Sequence, residues 1–162
     1  MLFEKKQICL LSPCTGSAVS LKEVPDEAFS EELLGKGFAA EPAEGKFYAP
    51  IGGRVESIAE SKHAYTVLSD EGLDILVHIG VDTVRLGGEG FVACVKEGQR
   101  VRAGELLAEA DIDGIRQKGL SAICSVLVTN PERMVHEEYK LGACMGGKDT
   151  VMCFRLAGKG SL

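Results

Sequence analysis

The stretch Leu73 to Val81 constrains the fold most: six of its residues, Leu73, Ile75, Leu76, Val77, Ile79 and Val81, make a nearly continuous apolar run. Such a run reads as a strand buried on both faces, or nearly so. His78 interrupts it, and Gly80 forces the chain to turn or thin out directly after the histidine. A second histidine, His63, precedes the apolar segment Ala64 to Leu68. Ser69 to Gly72 reads as the turn between the two segments. A hairpin centred between Asp70 and Glu71 sets His63 level with His78. Cross-strand neighbours have Cβ atoms about 5 Å apart, so the two histidines share a site on this reading.

The rest of the chain repeats the strand pattern. Short apolar runs alternate with Gly, Pro, Asp and Ser breakers, and helical periodicity is scarce. Strands are expected near 8–11, 17–21, 37–41, 46–48, 54–59, 64–68, 73–79, 91–95, 105–110, 123–128 and 151–156. Pro25 and Asp26 open a short helical turn running to Leu34, with Asp26 as N-cap and Gly35 ending it. A second short helix is expected from Asp111 to Lys118. Ser12–Leu21 aligns with Ala49–Ile58, so that Pro13 matches Pro50 and Gly16 matches Gly53 at an offset of 37 residues. Two copies are too few for a solenoid. They fit a closed β unit of two similar halves, each P-x-x-G leading into a strand. The fold class is therefore all-β, an antiparallel sandwich or barrel with one or two short helical turns.

At 162 residues, a single domain spanning 1–162 with a sizeable core is expected. Aromatic residues are 6% and Trp is absent, so the core must be mostly aliphatic. Net charge is −6, which argues against nucleic acid as a partner and suits a basic protein partner. No run reaches the roughly 20 apolar residues of a membrane span. The start, MLFEKKQICLLSP, lacks the features of a signal peptide, and residues 1–7 read as a frayed terminus. The expected location is cytoplasmic, with the membrane reached only through a partner. Six cysteines include no C-x-x-C pair. Cys9, Cys94, Cys124 and Cys153 fall in apolar segments, and reduced thiols are the simplest account. Neither a metal nor a cofactor is expected.

Two glycine motifs are set aside. Gly142 to Lys148 nearly spells a phosphate-binding loop, but Asp149 stands where Ser or Thr should bind magnesium, and a strand follows where a helix is required. Gly87, Gly88 and Gly90 form a turn, not a dinucleotide fingerprint. His136, in the polar segment PERMVHEEY, reads as a surface residue in a helix or loop.

A neutral imidazole nitrogen is a competent nucleophile toward a phosphoryl group, and phosphoryl transfer asks mainly for alignment and charge stabilisation. His63 can donate a hydrogen bond to a phosphoryl oxygen, and Ser61 supplies a nearby hydroxyl. Gly80 and its neighbours could present backbone N–H groups as an anion nest. Asp82, four residues after His78, is expected at the rim, facing a basic partner.

GLDILVHIGVDTV, with SKHA before it and GEGF after it, resembles the signature of the glucose-family IIA domain of the bacterial phosphoenolpyruvate-dependent sugar phosphotransferase system. The likeness runs from SPCTG to CFRLAG and includes VPDEAFSEELLGKGFA, KFYAPIGG and VKEGQRVRAGELL. It implies that His78 takes a phosphoryl group, as a tele-phosphohistidine, from the histidine phosphocarrier protein. His78 would then pass it to the cysteine of a transporter's IIB domain, with His63 assisting. It also implies an apolar docking face, here Phe29, Leu34, Leu76 and Val84, with Asp26 and Asp82 as acidic rim. The sequence departs from the family pattern at Ala59, where a large aromatic is common, at Gly52 for a usual Asp, and at Ser61 for a usual Thr. EGQRVRAGELL further resembles a turn and strand of biotinyl and lipoyl carriers, which hints at a barrel-sandwich hybrid. Those carriers need a lysine at a hairpin tip, and none stands there. Two alternatives share parts of this reading. A regulatory binder controlled by phosphorylation of His78 would use the same face. A zinc hydrolase of the lysostaphin type would need an H-x-H pair that this chain lacks.

Overall fold

The computed structural model describes residues 6–158. Among them the strands are β1 (Gln7–Leu11), β2 (Gly16–Ser20), β3 (Lys36–Pro42), β4 (Lys46–Tyr48), β5 (Gly53–Ile58), β6 (Ala64–Ser69), β7 (Asp74–Ile79), β8 (Phe91–Ala93), β9 (Arg100–Val101), β10 (Leu106–Ala110), β11 (Cys124–Val128), β12 (Met134–Tyr139), β13 (Gly142–Cys144) and β14 (Thr150–Leu156). Two short helices, α1 (Glu27–Ser30) and α2 (Ile112–Gln117), and three 3-10 turns complete the elements. An eight-stranded sheet runs β13-β2-β3-β11-β7-β6-β5-β9. Two three-stranded sheets, β1-β14-β12 and β4-β10-β8, pack on one face of it. Neighbouring strands are antiparallel throughout. The fold is a β-sandwich and not a closed barrel.

The repeat seen in the sequence is built into the backbone. Leu11 N–H donates to the Pro50 carbonyl at 2.9 Å, and Tyr48 N–H donates to the Pro13 carbonyl at 2.7 Å. These two bonds are related by the same 37-residue offset, so each copy of the P-x-x-G segment is held by the other. The main core fills the space between the large sheet and the two small ones, with Phe38, Phe47, Tyr65, Leu107 and Phe154 wholly buried.

Strand β7 alternates rather than burying both faces. Ile75, Val77 and Ile79 enter the main core, while Asp74, Leu76 and His78 are half-buried on the opposite face. That opposite face carries a second, smaller cluster: Leu21, Val24, Phe29, Ala39, Val81, Ile123 and Leu127. Helix α1 covers part of it. Asp26 caps α1 by accepting from Ala28 N–H at 2.9 Å, as expected. The helix ends at Ser30 and not near Leu34. Glu32 enters the left-handed region (φ 56°), and the N–H groups of Leu33 and Leu34 both return to the Ala28 carbonyl.

Three further expectations need correction. Cys9 and Cys153 are not simply separate apolar thiols: they stand opposite each other in β1 and β14, where they are joined by a disulfide in this structure. His136 lies in β12, at the bulge between Val135 and Glu138, with φ 58°; it is exposed, as expected, but in a strand. Residues 6 and 7 are not frayed, because Gln7 pairs with Arg155 and Lys6 bridges to Glu71 at 3.0 Å. The rest of that proposed frayed segment, residues 1–5, lies outside the described residues.

Candidate active site

The two histidines meet where β7 ends. Their rings lie 5.0 Å apart, edge to face at 84°. The route differs from the expected one by one residue. Ala64, not His63, stands opposite His78. The hairpin loop is Asp70, Glu71 and Gly72, with Gly72 left-handed (φ 86°) and Ser69 N–H bonded to the Leu73 carbonyl. A three-residue loop with glycine in that place centres the pairing on Glu71. His63 then sits in the bend before β6, after Lys62 (φ 59°), and its carbonyl accepts from Ile79 N–H at 2.7 Å. The bend turns the His63 ring toward His78 although its residue is out of register.

The Nδ1 atom of His78 lies 2.8 Å from the Gly80 carbonyl. A carbonyl only accepts, so Nδ1 carries the proton and Nε2 keeps its lone pair. Burial pushes His78 below the ordinary imidazole range; the Gly80 carbonyl, Asp26 and Asp82 pull the other way. Burial also lowers His63, helped by His78 beside it. Both rings are therefore predominantly neutral at pH 7. The buried Nδ1 of His63 has no hydrogen-bond partner among the described residues.

Gly80 has φ 81°, and a Cβ there would stand 2.4 Å from Thr83 Cγ2, so only glycine fits. The expected anion nest is not formed. Gly80 N–H donates to the Ile123 carbonyl at 2.9 Å and Val81 N–H to the Ser121 carbonyl at 3.0 Å. What Gly80 offers the site is its carbonyl. Ser61 lies half-buried in the turn two residues before His63. Asp82 is exposed and left-handed (φ 59°), and its side chain makes no capping bond to the 3-10 turn it precedes.

The sequence matches, over residues 8–134, the family described as phosphoenolpyruvate-dependent sugar phosphotransferase system, EIIA 1. The chain belongs to this family. It is also similar to the solved structure of glucose permease IIA from Mycoplasma capricolum, at 37% identity and a TM-score of 0.88, over 94% of this chain and 99% of that one. The chain is thus a glucose-class IIA component of the sugar phosphotransferase system, and membership carries a phosphotransferase role.

The docking residues expected of such an EIIA domain divide by exposure. Val84 (55%) and Leu34 (45%) are exposed, Leu76 is half-buried, and Asp26 is half-buried at the N-cap of α1. Phe29 is buried at 5%; its ring packs 4.9 Å from His78 and forms a wall of the site, not a contact surface. Leu33, at 69%, is the most exposed large apolar side chain among the described residues; the sequence does not single it out, because a helix continued to Leu34 hides the turn that presents it. Ser125, a polar residue inside the apolar strand ICSVLV, stands opposite His78 on β11 and is buried at 2%. No described helix is long and apolar enough to cross a membrane.

Proposed function

We propose that this single IIA domain carries a phosphoryl group on Nε2 of His78, taken from the histidine phosphocarrier protein and passed to the IIB cysteine of a glucose-class sugar transporter. The observation that carries the reading is the bond from His78 Nδ1–H to the Gly80 carbonyl, which leaves Nε2 as the lone-pair nitrogen. In the first step that lone pair attacks phosphorus, the Nε2–P bond forms, and the N–P bond to the donor histidine breaks, its electron pair staying with the donor. In the second, the IIB thiolate attacks, the S–P bond forms, and the pair in the Nε2–P bond returns to His78. His63 donates a ring N–H to a phosphoryl oxygen in both steps, and Ser61 adds a hydroxyl from the same turn. A neutral His78 is ready to attack at physiological pH. Leu33, Leu34, Leu76 and Val84 make the apolar centre of the docking face, and Asp26 and Asp82 its acidic rim, suited to a basic donor.

This relay belongs to the cytoplasm. Cys9 and Cys153 would be held there as two thiols, since that compartment is reducing. Their bond would close only on oxidation.

The test is a reconstituted relay: phosphoenolpyruvate, enzyme I, the histidine phosphocarrier and this protein, followed by mass spectrometry and transfer to IIB. One acid-labile phosphate should appear, on His78. His78→Gln should accept none. His63→Gln should still accept but pass the group on slowly, because one preorganised donor is worth roughly 2.7–4 kcal/mol, or about a hundredfold or more. One phosphate per chain on His78→Gln would overturn the assignment.

A further inference from the structure

Both peptide groups that flank Gly80 are held at their ends. The Ile79–Gly80 peptide has its N–H on the Ile123 carbonyl at 2.9 Å and its carbonyl on the Thr83 hydroxyl. The Gly80–Val81 peptide has its N–H on the Ser121 carbonyl at 3.0 Å and its carbonyl on His78 Nδ1 at 2.8 Å. Across a planar trans peptide, N–H and C=O point in opposite directions. The segment leading into β11, Ser121 to Ile123, therefore aims the Gly80 carbonyl at the imidazole. Three of these four partners are fixed backbone or the ring itself; the fourth is a side chain, Thr83, wholly buried at 0% exposure.

The turn needs that fourth partner. Gly80 (φ 81°) and Asp82 (φ 59°) are both left-handed within three residues. Glycine visits either hand freely, so the backbone around it can rotate unless each carbonyl is tied. Thr83 acts on this point twice: its hydroxyl donates to the Ile79 carbonyl, and its methyl packs where a Gly80 Cβ would be.

We propose that Thr83 is a positioning residue for phosphoryl transfer: it locks the turn after β7 so that the Gly80 carbonyl keeps the His78 proton on Nδ1 and the lone pair on Nε2. If the Gly80–Val81 peptide rotates, its N–H replaces its C=O beside the ring. Nδ1 must then accept, the proton moves to Nε2, and the nucleophilic atom is lost. The functional weight of this inference rests on His78 being the acceptor.

The experiment reads the imidazole directly. Nitrogen-15 NMR of the unphosphorylated protein distinguishes the two neutral tautomers of His78. The unmutated protein and Thr83→Ser should both show the proton on Nδ1. Thr83→Val, which keeps the shape and removes the hydroxyl, should show mixed tautomers and accept phosphate about tenfold more slowly, the size of a lost buried hydrogen bond. A folded Thr83→Val with the unmutated ring signature and rate overturns the proposal. Should the valine variant not fold, Thr83→Ser against Thr83→Ala isolates the hydroxyl, and identical ring signatures in that pair also overturn it. The tautomer readout needs no phosphate. A relay that leaves His78 unphosphorylated would sink the carrier reading while the ring signature still judged Thr83.

Discussion

Acid should destabilise this protein through its paired imidazoles, by an amount that can be bounded. His63 and His78 are both held below the ordinary imidazole range, chiefly by burial. The unfolded chain restores each to about 6.5. Between the folded and unfolded values the unfolded state binds a proton that the folded state refuses, so stability rises with pH there. As pH falls, the loss therefore begins near 6.5 and continues down to the folded value. A ring that stays neutral in the fold throughout costs about 1.3 kcal/mol between pH 7 and 5.5, so the pair costs at most about 2.5 kcal/mol. Asp26, Asp82 and the Gly80 carbonyl support a charged His78 and keep the observed loss under that bound. Urea unfolding at half-unit pH steps over this range measures it. His63→Gln and His78→Gln should each flatten the dependence, and the double variant should remove most of it. Equal losses in the double variant and the unmutated protein would refute the reasoning, as would a gain in stability toward pH 5.5.

Exposure separates docking from packing. Leu33→Asp and Val84→Asp should leave stability within about 0.5 kcal/mol yet slow association with the donor, whereas Phe29→Ala should cost about 3–5 kcal/mol in thermal or urea unfolding; undiminished transfer by both Asp variants would remove Leu33 and Val84 from the interface. In oxidised protein denatured without reductant, four thiols should titrate, those of Cys14, Cys94, Cys124 and Cys144, and six would disprove the bond. Because the bridge spans 144 residues, reduction should lower stability by up to about 5 kcal/mol on chain-entropy grounds, and an unchanged urea midpoint would contradict this.

Most strands were legible because their apolar residues are contiguous and bounded by breakers. The ones missed lack that signal. Strand β9 is two residues long, and β13 is three. Among the described residues MVHEEY in β12 pairs with β14 alone, and beyond Met134 its side chains are half-buried or exposed, so it carries no apolar run. The histidine pair was legible, but its register turned on whether the loop holds two residues or three, and Gly72 in the left-handed position decides that. Partners distant in sequence were illegible. Nothing near Cys9 says that β14 lies beside it, and nothing in HIGVDT says that the Gly80 N–H is already taken by Ile123. Which residues of a short helix face outward also depends on where it stops: Glu32 in the left-handed region turns Leu33 out while Phe29 stays in.

The pairing of β1 with β14 also sets where this domain can be tethered. Leu156 N–H donates to the Lys6 carbonyl, so the first and last described segments run side by side. Lys6 bridges to Glu71, in the loop at the far end of the β6–β7 hairpin from the histidines. Six residues of β7 separate the two ends, about 20 Å of extended chain. The start of β1 and the end of β14 therefore lie together at one end of the sandwich, a strand's length from His78. A flexible linker attached there should leave the open face beside the histidines free for the donor and the acceptor.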